Sequence, residues 1–113
     1  MHEMSLAESV REIIEDSARQ EGFRRVKRVT LEIGKLSSVE PEAMRFCFDV
    51  VMQGSVACDA ELEIIEVGGL GQCTGCKKTA SLETLYETCP FCGAPAMQVI
   101  AGDAMKVKTL EVE

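Results

Sequence analysis

Leu6, Val10, Ile13, Ile14 and Ala18 recur at the spacing of one helical face. Ser5-x-x-Glu8 just ahead of them reads as a capping box, and Gly22 as a stop. From Arg25 to Ile33 the pattern changes to alternation. Val29, Leu31 and Ile33 take one face, while Lys27, Thr30 and Glu32 point outward, as in a half-buried strand closed by Gly34. A second helix is expected from Glu40-Pro41, where proline fits the first turn, through Ala43, Met44, Cys47, Phe48 and Val51 to Gly54. Ala60, Leu62 and Ile64 then alternate with Glu61 and Glu63 in a strand continuing to about Val67. Gly68-Gly69-Leu70-Gly71 reads as a flexible join. Met97 to Ile100 and Met105 to Val112 look like two strands around a Gly102-Asp103 turn, both able to return to the first sheet. The expected class is α+β. Residues 1–68 plus 99–113 make a small mixed α/β domain, two helices on a three-stranded sheet, and residues 69–98 form an inserted zinc-ribbon-like domain.

Composition narrows what such a chain does. With one Tyr, four Phe and no Trp among 113 residues, there is little to stack on bases. Twelve basic against nineteen acidic residues give a net charge of −7, which opposes nonspecific binding to nucleic acid or anionic membranes. The opening residues lack the basic leader of a signal peptide, and no apolar run approaches the roughly 18 residues of a membrane span. The expected compartment is the reducing cytoplasm. Arg24, Arg25, Lys27 and Arg28 are the one basic concentration, read first as a solvated strand end and second as a docking patch for an acidic surface.

Six cysteines in so short a chain stand out. Cys47 falls in the apolar stripe of the second helix and reads as a small buried hydrophobe, and Cys58 as a spare exposed thiol. Cys73, Cys76, Cys89 and Cys92 form two Cys-x-x-Cys pairs with twelve residues between them. Joined by a short β-excursion, two such knuckles surround one tetrahedral ion, and four thiolates suit zinc. Pro90 sets φ for the second knuckle and Gly93 opens the backbone after it. Iron in the same cage and a pair of disulfides are the rivals. A thioredoxin-like redox site fits less well, because it needs one pair opening a helix after a strand. A closed four-thiolate site leaves no open position for catalysis. No nucleophile with a base and no phosphate loop accompanies it, so an enzyme is not expected.

The chain holds one histidine, His2. The Met1 α-amino group, the His2 amide and the His2 imidazole form adjoining chelate rings, and the Glu3 amide or carboxylate completes a planar set. Square-planar nitrogen and oxygen ligation favours Ni(II) or Cu(II) over zinc. With Ser5 as cap, Met1 to Met4 would project as an accessible clamp, with Glu8 and Glu12 as outer partners only. One open, reversible site and one closed site together suggest a carrier with a structural ion. The competing class is a zinc-ribbon module that recruits nucleic acid or protein.

The sequence resembles the HypA/HybF family of hydrogenase maturation proteins, which are nickel metallochaperones. The resemblance rests on Met1-His2-Glu3, Pro41-Glu42-Ala43-Met44-Arg45-Phe46-Cys47-Phe48, the two knuckles and the closing Leu110-Glu111-Val112-Glu113. It implies that His2 is the essential nickel ligand with Glu3 contributing, that Glu40 matches an acidic position proposed as an additional contact, and that the four clustered cysteines hold structural zinc. It also implies nickel delivery to the large subunit of [NiFe] hydrogenase with a GTPase accessory protein, with urease as a client of some members. Where some relatives carry histidines beside the knuckles, this chain has Lys77 and Gly93. The apolar first helix or an exchanged strand would support a homodimer.

Overall fold

The computed structural model describes residues 2–95 and 97–113, and the expected ligand Met1 lies outside them. The elements follow in the order α1 (Glu3–Glu21), β1 (Val26–Gly34), α2 (Pro41–Val51), β2 (Glu61–Val67), β3 (Gly69–Gln72), β4 (Thr79–Leu82), β5 (Gln98–Ala101) and β6 (Met105–Val112). They make two three-stranded sheets, ordered β2-β1-β6 and β4-β3-β5. The chain divides into two compact units. One comprises Met1–Leu31, Val39–Ile65 and Lys106–Glu113, and the other Glu32–Ser38 and Glu66–Met105. The fold is the expected small mixed α/β arrangement of two helices with sheets.

Helix α1 starts earlier than the capping box indicates. The His2 carbonyl accepts the Leu6 N–H at 2.9 Å, no side chain caps the helix, and Ser5 lies inside its first turns. A distant contact outweighs the local motif: the Glu3 carboxylate accepts the Glu40 backbone N–H at 3.0 Å, which ties the first turn of α1 to the start of α2. Glu3 and Met4 are therefore helical, not part of a projecting clamp. The buried stripe is Ala7, Val10 and Ile14, while Ile13 faces solvent. Gly22 ends the helix in the left-handed conformation at φ 79°, its N–H donating to Ala18.

Helix α2 starts where expected, with Pro41 in the first turn and the Glu40 carboxylate accepting the Glu42 N–H at 3.0 Å. It buries Met44, Cys47 and Phe48. Arg11 of α1 donates to the Val51 and Gln53 carbonyls, at 2.8 and 3.2 Å, where α2 runs out of intrahelical partners. Strand β1 is central to its sheet, paired along both edges, and its burial exceeds simple alternation. Val29, Leu31 and Ile33 are buried as expected, but Thr30, expected to be outward, is also buried. Its hydroxyl donates to Glu63 at 3.1 Å, which satisfies the polar group.

The glycine run is not a flexible join. Gly69 and Gly71 lie in β3, the central strand of the second sheet, paired antiparallel with β4 and β5. A β-carbon on Gly69 would sit 2.6 Å from Leu36 Cδ1, and one on Gly71 would sit 2.7 Å from Leu82 Cδ1. Glycine here permits close packing in a strand, not freedom in a linker. The closing strands also part company. β6 joins the first sheet, whereas β5 pairs with β3, and Gly102 at φ 85° carries the chain between them.

Candidate metal centre

Strand β3 ends at Gln72, so Cys73 follows directly from a hydrogen-bonded element. The two knuckles then repeat one backbone design. Lys77 N–H donates to the Cys73 carbonyl at 3.0 Å, and Gly93 N–H to the Cys89 carbonyl at 2.9 Å. Cys73 N–H returns to the Lys78 carbonyl and Cys89 N–H to the Ala94 carbonyl, both at 3.0 Å. The residue after each second cysteine is left-handed, Lys77 at φ 67° and Gly93 at φ 76°. Only the second knuckle uses the residue type suited to that conformation. Lys78 lies over the Phe91 ring at 4.9 Å, linking the knuckles outside the sulfurs.

The four sulfurs converge. Cys73 Sγ lies 3.5 Å from Cys92 Sγ, Cys76 Sγ lies 3.7 Å from Cys89 Sγ, and all four fall within 4.8 Å of one another. A disulfide needs about 2.05 Å, so these are not bonded pairs. A tetrahedron with metal–sulfur bonds of about 2.3 Å has edges of about 3.8 Å, which fits this spacing. Backbone N–H groups point at the sulfurs, from Cys76 to Cys73 Sγ at 3.5 Å and from Phe91 to Cys89 Sγ at 3.4 Å. The Cys76 N–H leads in lowering the Cys73 thiol to about 6. The Cys92 N–H leads in lowering that of Cys89. At Cys92 the Ala94 N–H works downward, but the neighbouring sulfurs of Cys73 and Cys89 prevail and raise the thiol to about 11. Without a cation, four negative charges cannot share this space. The remaining two cysteines stand apart, Cys47 buried and Cys58 exposed.

At the other end, His2 is exposed just before α1. Glu3 and Glu40 are brought together, thirty-seven positions apart in sequence, but as acceptor and donor: the Glu3 carboxylate accepts the Glu40 N–H. That bond lowers the Glu3 pKa from its ordinary value. The Glu40 carboxylate is itself occupied at the Glu42 N–H. Glu8 and Glu12 lie exposed along α1. Among the described residues, the one group of three or more such ligands already gathered is the four cysteines. The Glu3–Glu40 tether escaped sequence reasoning because nothing local marks it.

The fold and this site define a two-sheet α/β protein with a four-thiolate, zinc-ribbon-like metal-binding cluster. Residues 1–112 match the family model described as hydrogenase/urease nickel incorporation, metallochaperone. The hydrogenase maturation factors HypA of Rhodopseudomonas palustris strain BisA53 and Dechloromonas aromatica strain RCB are 55% and 54% identical over 113 residues, covering all of both chains. The solution structure of the Ni metallochaperone HypA from Helicobacter pylori matches 99% of this chain and 97% of that one, with a TM-score of 0.75 and 26% identity. A second solution structure of a HypA protein matches with a TM-score of 0.77 and 25% identity. The chain belongs to the HypA family of hydrogenase maturation factors. No described helix is long and apolar enough to cross a membrane.

Proposed function

We propose that this protein binds Ni(II) at its N-terminus and delivers it during maturation of [NiFe] hydrogenase, while Cys73, Cys76, Cys89 and Cys92 hold a structural zinc. The match of residues 1–112 to a nickel-incorporation family carries this reading. The cysteine geometry supports the zinc, whose preference is tetrahedral thiolate ligation. His2, Glu3 and the Met1 amine supply the nickel ligands. His2 is exposed, and the Glu3 amide, as the first of the helix, has no intrahelical acceptor to surrender. The Glu3 carboxylate then serves by holding the start of α1 against Glu40, so Glu40 contributes through its backbone first and its carboxylate second. The protein acts as a carrier, not a catalyst, with the hydrogenase large subunit and a GTPase accessory protein as partners. Urease is the alternative client.

Nickel titration of the untagged, zinc-loaded protein tests the assignment. Wild type should bind one Ni(II), and His2→Ala should lose that binding while keeping its zinc. Equal nickel binding by the two proteins would sink the role of His2.

A further inference from the structure

At the end of α1 the surface opens into a groove of about 420 Å³, lined by Glu15, Ala18, Arg19, Phe23, Arg24 and Val56. That volume is within the roughly 300–1,000 Å³ typical of ligand sites. Its walls are held by hydrogen bonds. Gly22 turns the chain out of α1 to present Phe23 and Arg24. Val56 is fixed by the Val26 N–H on its carbonyl at 2.9 Å, and the adjoining turn by Ser55 Oγ on the Met52 carbonyl at 2.7 Å. The lining is thus an apolar floor of Ala18, Phe23 and Val56 with two guanidinium groups at its rim.

Of the two, Arg24 opens the basic concentration Arg24, Arg25, Lys27 and Arg28, two of whose four members pair with the fold's own acids. Arg25 pairs with Glu113 at 3.9 Å, and Arg28 with Glu61 and Glu111 at 3.2 and 3.4 Å. Arg19 pairs with Asp16. Glu15, the one acid in the lining, is engaged by Arg11 at 3.5 Å. Arg24 is exposed and has no carboxylate partner among the described residues. On a chain of net charge −7, an unpaired arginine beside an apolar groove is a local exception. At physiological salt the screening length is about 8 Å, so an approaching group at the groove responds to these nearby charges more than to the distant acids.

We propose that this groove docks an acidic segment of a partner protein, with an aromatic or branched apolar side chain seated against Phe23, Ala18 and Val56 and a flanking carboxylate on Arg24. The inference is independent of the metal assignments. Selection from a random displayed-peptide library on the full zinc-loaded protein tests it, followed by amide-shift mapping with the enriched peptides. Enriched sequences should pair an apolar anchor with Asp or Glu and shift Ala18, Arg19, Phe23, Arg24 and Val56. Arg24→Glu should weaken them about five- to tenfold, Arg24→Lys far less, and added salt should weaken wild type toward the Arg24→Glu value. Unchanged thermal unfolding and zinc content would show that both variants are intact. Basic or neutral enriched sequences, shifts elsewhere, no enrichment, or Arg24→Glu binding within about twofold of wild type would overturn the proposal.

Discussion

Phe48, Ile14, Leu31, Ile33, Met44 and Met52 of the structure are each under 2% exposed, and only Ile33 among them falls in the second unit. The cluster at the centre of the second unit is Leu36, Leu82 and Met97 with Cys73 and Cys89. One unit is held by aliphatic and aromatic burial in the ordinary way, and the other places its metal ligands inside a core too small to be stable by burial alone. Sulfur in the second unit therefore does the work of the side chains it displaces, provided a cation is bound. The two should respond oppositely to the same treatments.

Metal removal gives the largest expected effect. Structural zinc contributes about 10–16 kcal/mol of apparent binding energy in small zinc domains, much of which is folding energy. Chelation, or Cys73→Ala, should abolish amide-shift dispersion and exchange protection over residues 66–105, while α1, α2 and their core remain protected. Concerted loss of protection in both units would break the comparison. The reverse treatment is Phe48→Ala, which should cost the first unit about 3–5 kcal/mol in denaturant unfolding and leave zinc content unchanged. Loss of zinc from that variant under native conditions would show that the two cores are one cooperative system.

The features legible in the sequence are those whose cause is local. Glu40-Pro41 announces the start of α2 because both the cap and the proline act within one turn. The two knuckles are readable for the same reason, since each places two sulfurs and a turn within six residues. What the sequence misplaced depends on distant partners. Ser5-x-x-Glu8 is a sound local cap, yet the bond from Glu40 to Glu3 draws the helix start three residues earlier. Gly69 and Gly71 look like linker glycines until Leu36 and Leu82 are placed against them. β5 and β6 look like one hairpin until their partners prove to be in different sheets. The candidate nickel ligands were legible as chemistry, but the second job of Glu3, as acceptor for a remote backbone N–H, was not.

The smallest predicted effect sharpens the comparison within the metal centre itself. The knuckles match in their backbone hydrogen bonds, and at the equivalent left-handed position one has Lys77 and the other Gly93. A β-carbon on Gly93 would meet nothing within 4 Å, so Gly93→Ala probes backbone strain free of steric clash. A non-glycine residue in this conformation costs roughly 1–2 kcal/mol, so Gly93→Ala should weaken zinc about five- to thirtyfold in chelator competition. Lys77→Gly should act in the opposite direction but by less, because glycine also gains entropy in the unfolded chain. If Gly93→Ala were neutral, the left-handed turn would not be coupled to metal affinity. If Lys77→Gly weakened zinc, the lysine side chain itself would be supporting the site, since the bond from Gln72 Nε2 at 3.2 Å reaches the Lys77 backbone carbonyl and survives the substitution. The first knuckle would then be stabilised by its side-chain surroundings and the second by its backbone alone.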